Sequence, residues 1–175
     1  MKLRALIVLT LCACGGDDGG TPIDPSVPDS PYCAPVAGFT STALEDEILT
    51  IVNQHRAAGA TCGGMAMPSV PALTMVPTLR CAARVHSKDM VDRSYFDHTN
   101  PEGEQPWDRM ELAGYTWRAA GENIAAGNST AAATMDQWMN SSGHCRNIMS
   151  GDFSDIGVGH VEAGAMWTQV FGAPR

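Results

Sequence analysis

The sequence contains few basic residues. Eleven Lys and Arg residues stand against 19 Asp and Glu residues in a chain of 175, which gives a formal net charge of -8. Loss of Lys2 and Arg4 with a signal peptide would make this charge -10. No run or stripe of Lys and Arg offsets the negative charge, so the sequence argues against nucleic acid as a partner.

Long apolar runs are also missing. The apolar stretch over residues 5–11 is shorter than the roughly 20 residues that a transmembrane helix needs. It follows two basic residues and leads into Leu11-Cys12-Ala13-Cys14, the pattern of an export signal that ends in a bacterial lipobox. We therefore predict a lipoprotein signal peptide over residues 1–13 and lipidation of Cys14, so that the chain meets the membrane through its lipid anchor alone. The alternative is an ordinary signal peptide cleaved elsewhere, which would release a soluble extracellular protein.

The segment after the signal lacks apolar periodicity. Residues 14–37 are rich in Gly, Pro, Asp and Ser, cannot bury enough surface to order themselves, and are predicted to form a flexible tether. Gly15 follows Cys14 where an Asp would indicate retention in the inner membrane, so we expect an anchor in the outer membrane or at the cell surface. Residues 38–175 suffice for one domain with a core and contain no internal repeat.

Few cysteines follow the predicted signal peptide and Cys14, and their number is even. The four residues are Cys33, Cys62, Cys81 and Cys145. In an exported domain an even number indicates disulfides, and four cysteines allow three connectivities. The residues alone leave all three open.

Helical and alternating apolar patterns follow one another along the domain. Helices are predicted over residues 42–58, from Pro77 to about residue 92, over 106–113, and from a cap at 128–130 to about residue 140. Strands are predicted within 115–126 and in a terminal hairpin over 156–160 and 166–171, and residues 61–76 are predicted to form a loop. This order of elements is typical of an α+β domain built in layers.

Three side chains stand out as candidates for a functional site. Glu122 directly precedes an apolar Ile-Ala-Ala run, where a charged side chain must be exposed, paired or deliberately buried. His144 follows Gly143 just past a predicted helix end, and His98 lies in a loop, so both rings can turn into a cleft. One carboxylate and two imidazoles indicate either a metal site or an acid/base cluster.

One further histidine and two serines are not assigned to the functional site. His86 lies on the inward stripe of the second predicted helix, with Leu79 and Met90, and is expected to be a core histidine. Ser141 and Ser142 precede His144, but no Gly-x-Ser-x-Gly elbow surrounds them, so we reject a serine nucleophile.

Six segments follow one another in a characteristic order: His86-Ser87-Lys88-Asp89-Met90, Tyr95-Phe96-Asp97-His98, Gly121-Glu122-Asn123-Ile124-Ala125, Trp138-Met139-Asn140-Ser141-Ser142-Gly143-His144, Ile156-Gly157-Val158-Gly159 and Trp167-Thr168-Gln169-Val170-Phe171-Gly172. Their order and spacing resemble the bacterial branch of the CAP superfamily from about Thr42 to Gly172. Its domains, also called SCP domains, include cysteine-rich secretory proteins, insect venom antigen five and plant pathogenesis-related proteins. The resemblance implies an α+β fold that is a three-layer α-β-α sandwich with a small antiparallel sheet.

The resemblance also implies a site. In this family a cleft holds two histidines and two glutamates, and His98, Glu122 and His144 match both histidines and the first glutamate. Ser141 stands near the position of the second glutamate, which argues against mechanisms that need paired carboxylates, such as glycoside hydrolysis. Other members bind zinc or other divalent ions in the cleft, and sterols or fatty acids in apolar channels nearby. We therefore predict Zn²⁺ or another divalent cation at His98, Glu122 and His144.

The same resemblance favours one disulfide map. Bacterial relatives with two cysteines have one after the first helix and one after the Gly-His of the cleft, at positions like Cys62 and Cys145. This pair would leave Cys33 to bond with Cys81 and fix the end of the tether. The rival map, Cys62 to Cys81 with Cys33 to Cys145, has the shorter inner loop and stays open.

Two function classes follow. The first is a binding module, in which an anchored domain presents a metal-assisted polar cleft to a lipid, a peptide or another component of the cell envelope. The alternative is a hydrolase of the envelope, in which Glu122 and the imidazoles, with or without Zn²⁺, activate water to cleave a peptide or an ester.

Overall fold

The computed structural model describes residues 30–37 and 43–175. The predicted signal peptide, the lipidation site at Cys14, most of the tether and the predicted helix cap at Thr42 lie outside the described residues. The described elements are α1 (Ala43–Ala58), β1 (Ala60–Cys62), β2 (Met65–Met67), β3 (Thr74–Met75), α2 (Pro77–Asp92), α3 (Pro106–Leu112), β4 (Trp117–Ala125), α4 (Ala131–Asn140), α5 (Ser142–Ile148), β5 (Asp155–Val161) and β6 (Met166–Pro174), with short 3-10 helices over Ala34–Val36 and Ala163–Ala165.

The central sheet has four strands in the order β3-β5-β6-β4. β5 and β6 form the predicted terminal hairpin, and β4 pairs antiparallel with the other side of β6. The two-residue β3 pairs parallel with β5, so the sheet is antiparallel except at this edge. β1 and β2 form a separate antiparallel hairpin.

Helices cover both faces of the sheet, which confirms the three-layer α-β-α sandwich. On one face α1, α4 and α5 bury a large core against alternate residues of β5 and β6, and this core includes Ile48, Trp138, Ile148, Val158 and Phe171. On the other face α2 and α3 pack against the intervening residues, with clusters around Leu79, Met110, Val170, Met90 and Ile124. Because side chains alternate along each strand, each strand contributes residues to two separate cores.

Glycines in β5 bring α2 directly onto the sheet. A Cβ on Gly157 would lie 2.0 Å from the backbone carbon of Leu79, and one on Gly159 would lie 2.4 Å from that of Ala83. No side chain fits at either position, because the obstacle is helix backbone rather than a flexible side chain. The Ile-Gly-Val-Gly segment thus sets the distance between the sheet and α2, the helix that precedes the His98 loop.

The second helix is buried beyond its predicted stripe. Leu79, His86 and Met90 are buried as expected, but Arg80 and Arg84, which lie outside this apolar stripe, are buried too. Arg84 donates to both carboxylate oxygens of Glu45 on α1, at 3.0 and 2.7 Å. Both side chains are fully buried, and a buried arginine requires such a partner.

Two predictions of local structure were wrong. Residues 61–76 form more than a loop, since they contain most of the β1–β2 hairpin and all of β3. His144 does not follow a helix end but lies inside α5, a second short helix that begins at Ser142 after a one-residue break from α4. Gly143 does not end a helix, because its φ is not positive and it continues into α5.

Both disulfides of the favoured map are present, Cys33–Cys81 and Cys62–Cys145. The first attaches the segment over residues 30–37 to α2, where Cys33 and Val36 are fully buried. The second joins the end of β1 to α5, one residue after His144. In the part of the chain that the structure describes, no helix is long and apolar enough to cross a membrane.

Candidate functional site

Glu122 is the buried centre of the candidate site. It lies on β4 opposite Val170, on the face of the sheet that carries α2 and α3, and its side chain is 1% exposed. One carboxylate oxygen, Oε2, accepts a hydrogen bond from Nη2 of Arg109 at 2.8 Å, and the other, Oε1, lies 2.8 Å from Nδ1 of His98. The carboxylate is therefore buried in the paired state, with both oxygens engaged.

His98 is fixed by the same carboxylate. A carboxylate can only accept, so Nδ1 of His98 carries the proton and Nε2 of the neutral ring carries the lone pair. This hydrogen bond raises the pKa of His98 above its usual value, against the opposing effect of burial. The imidazole is half-exposed, so its free nitrogen is available to a ligand.

Arg109 also holds the loop on which His98 lies. Its guanidinium donates to the backbone carbonyls of His98 at 2.9 Å and of Glu104 at 2.9 Å, besides its ion pair with Glu122. Arg109 is 2% exposed and comes from α3, which Pro106 begins. One arginine therefore orders both the carboxylate and the backbone of the histidine that the carboxylate orients.

His144 approaches from α5, on the opposite face of the sheet. Its Nδ1 atom is buried, and no group in the described ranges 30–37 and 43–175 bonds to it. Burial lowers the pKa of His144, and the nearby charge of His98 lowers it further. We call the space bounded by His98, Glu122 and His144 the cleft. The structure thus joins His98 to Glu122 by a hydrogen bond and holds the backbone of His144 on the strand β4, while a common site for the three side chains stays a prediction.

An amide network fastens α5 to β4. Asn147 donates to the backbone carbonyl of Glu122 at 3.2 Å and to the side chain of Asn123 at 2.9 Å. Asn123 in turn donates to the backbone carbonyl of His144 at 3.2 Å and to the side chain of Gln169 at 3.1 Å. These bonds join the helix that carries His144 to the strand that carries Glu122.

Neither Arg109 nor Asn147 was predicted from the sequence as part of the site. Arg109 belongs to the helix predicted over residues 106–113, and Asn147 lies beyond the predicted end of the fourth helix at about residue 140. The signal that could have found Arg109 is the expectation that a buried Glu122 needs a cation nearby. No comparable signal marks Asn147, because its role depends on α5 packing against β4.

His86 is a core histidine, as predicted. It is fully buried, and its Nε2 lies 3.0 Å from the carbonyl of Asp97 and 3.7 Å from Oε1 of Glu122. Burial lowers the pKa of His86 to about 4, so its ring is neutral at physiological pH. A neutral Nε2–H donates to Asp97 and helps to hold the loop of His98 from behind.

Two imidazoles remain as candidate metal ligands. Among residues 30–37 and 43–175, no group of three or more His, Cys, Asp or Glu side chains is arranged so that it could hold a metal ion. Both oxygens of Glu122 are already bonded, which leaves His98 and His144 as free nitrogen donors. Direct ligation of a metal ion by Glu122 stays a prediction. The observed contact of its carboxylate is with the imidazole of His98.

Residues 49–171 match the family described as CAP: Cysteine-rich secretory protein family. The uncharacterised protein YkwD of Bacillus subtilis (strain 168) is 48% identical over 94 residues, which are 54% of this chain and 37% of YkwD. An uncharacterised membrane protein of the same organism, YlbC, is 35% identical over 74 residues, or 42% of this chain and 21% of YlbC. The chain therefore matches well under half the length of each of these two relatives.

Two solved structures extend the comparison. An extracellular protein containing a SCP domain from Bacillus anthracis is 31% identical with a TM-score of 0.65, and the match covers 73% of this chain and 39% of that protein. An outer surface protein from Borrelia burgdorferi is 18% identical with a TM-score of 0.60, covers 74% and 94% of the two chains, and shares the fold. Since the family match spans more than half of the sequence, this chain belongs to the CAP family of cysteine-rich secretory proteins.

Proposed function

We propose that this CAP domain is an exported binding module whose cleft holds a divalent metal ion between His98 and His144 and receives a lipid, a peptide or another envelope component beside it. The observation that carries the proposal is the hydrogen bond between His98 and Glu122. A buried carboxylate that fixes one ring nitrogen directs the other outward with its lone pair, which is how metal-binding histidines are oriented in proteins.

His144 supports the same proposal. Its buried Nδ1 atom has no partner among the described residues, although a buried polar nitrogen without a hydrogen bond is costly. Imidazole ligands suit Zn²⁺ among the common divalent ions. With two protein ligands the ion would be hydrated and weakly held, and it would supply a Lewis-acidic centre with open positions for an oxygen ligand.

Replacing His98 or His144 by Ala is expected to lower the affinity for Zn²⁺, more strongly at neutral than at acidic pH. Protonated imidazole cannot ligate, so acid already weakens binding in the wild type, and the raised pKa of His98 makes this competition start nearer neutrality. Glu122→Gln, which weakens the orientation of His98 and also removes the charge that pairs with Arg109, is expected to cost roughly 10- to 100-fold in Zn²⁺ affinity.

Calorimetric titration with Zn²⁺ measures these affinities. His55→Ala on α1 is the matched control, because it removes an imidazole outside the cleft and should leave the affinity unchanged. Equal affinity in the wild type and in the double variant of His98 and His144 would rule out the metal site.

Export is supported by the relatives and by the cysteines. The B. anthracis protein is described as extracellular and the B. burgdorferi protein as an outer surface protein. Two disulfides are typical of an oxidising compartment. We propose that the mature chain is attached to the outer membrane or the cell surface through a lipid on Cys14.

Lipidation at Cys14 predicts that the mature protein partitions into the membrane fraction and that Cys14→Ser is released from it. Several acyl chains on one residue suffice for stable anchoring, whereas a single chain binds only marginally. Membrane extraction and mass analysis of the N-terminus decide this. A water-soluble mature chain with a free amine upstream or downstream of Cys14 would contradict it.

One observation favours a hydrolase as the second candidate. An imidazole oriented by a buried carboxylate, as His98 is by Glu122, suits a general base. Ser141 stands near the position at which the family has a second glutamate. This chain therefore lacks the paired carboxylates that some hydrolytic mechanisms require. Incubation with peptide and ester libraries, with and without Zn²⁺, separates the two candidates. Product that forms with the wild type and disappears in Glu122→Gln would establish the hydrolase in place of the binding module.

A further inference from the structure

Arg56 is fully buried in the last turn of α1, yet it has no carboxylate partner among the residues that the structure describes. Its guanidinium donates to four backbone carbonyls instead, those of Pro71 at 2.7 Å, Ile148 at 2.8 Å, Ser150 at 2.8 Å and Phe153 at 3.3 Å. Burying a cation is costly unless hydrogen bonds replace its hydration. These four bonds join α1 to the loop before β3, to the end of α5 and to the loop before β5.

The helix α5 is too short to hold its position alone. It has seven residues, whereas isolated helices of fewer than about 12–15 residues are marginal in water. The last carbonyls of a helix also lack partners within the helix, and Arg56 supplies one to the carbonyl of Ile148. Because His144 lies about one helical turn before Ile148, this bond holds the turn that carries the imidazole.

Three kinds of contact attach α5 to three different elements. The disulfide Cys62–Cys145 joins it to β1, the side chain of Asn147 joins it to β4, and Arg56 joins it to α1. Three separate points fix the orientation of a rigid body, and the loss of one lets the body turn about the other two. Without Arg56, α5 would therefore turn about the line between its disulfide and Asn147, and His144 would move with it.

We propose that Arg56 is a positioning residue for the metal ion: it holds α5 in the orientation in which the imidazole of His144 can bind. This inference rests on the proposed function. Arg56 and Arg109 act alike, because each is buried and donates to a backbone carbonyl in the segment that carries one of the two histidines. They differ in their partners, since Arg109 also pairs with Glu122, whereas the four bonds of Arg56 go to backbone. Arg56 thus acts through the backbone of α5.

Arg56→Lys tests this role, because it keeps the buried charge but not the planar fork that serves four carbonyls at once. The variant is expected to bind Zn²⁺ roughly tenfold more weakly, as is common when the support of a metal ligand is lost. Asn53→Ala is the matched control. Asn53 lies three residues earlier on α1 and exchanges two hydrogen bonds with the backbone of Leu73, at 2.8 and 3.1 Å. Its loss should lower stability and leave Zn²⁺ affinity unchanged.

Two backgrounds separate positioning of His144 from a general loss of stability. If Arg56 acts through His144, Arg56→Lys should weaken Zn²⁺ binding in the His98→Ala background and leave it unchanged in the His144→Ala background. A purely structural effect would be the same in both backgrounds, because it does not depend on which imidazole is present. Nitrogen-15 NMR of the remaining imidazole during a Zn²⁺ titration measures binding at such weak sites.

The wild type supplies a second measurement, which holds even where a variant of Arg56 fails to fold. Coupling between two sites is reciprocal, so an arginine that favours Zn²⁺ binding must itself be held more firmly once Zn²⁺ is bound. Excess Zn²⁺ should therefore slow hydrogen exchange at the guanidinium of Arg56. Exchange at the side-chain amide of Asn53, which belongs to the same helix but holds a different loop, should stay unchanged.

Where the wild type binds Zn²⁺, three results would overturn the inference: an affinity of Arg56→Lys within about twofold of the wild type, an equal loss in both histidine backgrounds, or guanidinium exchange that Zn²⁺ leaves unchanged. Each of these rejects the role of Arg56 and leaves the metal site standing. Amide exchange across α5 covers the other case. If the wild type binds no Zn²⁺ but α5 exchanges faster in Arg56→Lys than in Asn53→Ala, only the metal is rejected, and equal exchange rejects both.

Discussion

Arg109→Met is expected to lower the free energy of unfolding by about 3–5 kcal/mol, because it leaves a buried carboxylate without its cation. Glu122 is 1% exposed and cannot recover hydration while the domain stays folded. The same substitution removes the donors to the carbonyls of His98 and Glu104, which frees the loop of the cleft. For a domain whose total stability is of the order of 5–15 kcal/mol, this is a large fraction.

Guanidinium chloride unfolding measures this effect, with Arg146→Met as the control. Arg146 is an exposed arginine on α5, and its loss should change stability by no more than about 0.5 kcal/mol. Arg109→Lys keeps the charge but not the planar fork that serves Glu122 and two carbonyls, so an intermediate loss is expected. Equal stabilities of Arg109→Met and Arg146→Met would show that the ion pair with Glu122 does not hold the site together.

Removing either disulfide by paired Cys→Ala substitution is expected to cost about 4–5 kcal/mol in the chain-entropy model. The two bridges close loops of similar entropic cost, with sequence separations of 83 for Cys62–Cys145 and 48 for Cys33–Cys81. Their effects on the cleft should differ. Loss of Cys62–Cys145 frees α5 next to His144, whereas loss of Cys33–Cys81 frees only the segment over residues 30–37 from α2.

Each bridge is therefore the control for the other. Thermal unfolding should fall for both double variants, and Zn²⁺ affinity should fall only for Cys62→Ala/Cys145→Ala. Non-reducing peptide mapping of the wild type checks the connectivity first, and a fragment joining the peptides of Cys62 and Cys81 would contradict it. Equal loss of Zn²⁺ affinity in both variants would mean that α5 is positioned by the domain as a whole rather than by its own disulfide.

Much of the fold was predictable because its elements carry strong local patterns. α2 begins at a proline and keeps an apolar stripe at helical spacing, and β5 and β6 alternate over a short turn. The arrangement in three layers followed from the resemblance of six segments, not from the patterns themselves. The hairpin of β1 and β2 escaped prediction because its residues are largely exposed and rich in Gly and Met, so no alternation of apolar residues marks it.

His98 and Glu122, two predicted residues of the site, are joined by a hydrogen bond, but their roles depend on contacts that the sequence does not display. Glu122 as a metal ligand stays a prediction, and the structure adds that its carboxylate bonds to Arg109 and His98. The helix α5 was missed because Gly143 reads as a helix end, although here it lies within a new helix that begins after a one-residue break at Ser141.

The most direct test of this account is nitrogen-15 NMR of the cleft imidazoles during a Zn²⁺ titration. Before metal is added, His98 should carry its proton on Nδ1 and none on Nε2, since Glu122 accepts from Nδ1. Zn²⁺ should then shift Nε2 of His98 and one nitrogen of His144, while the Nδ1 proton of His98 persists. Rings that do not respond to excess Zn²⁺, or a His98 that is protonated on Nε2 at neutral pH, would contradict the account.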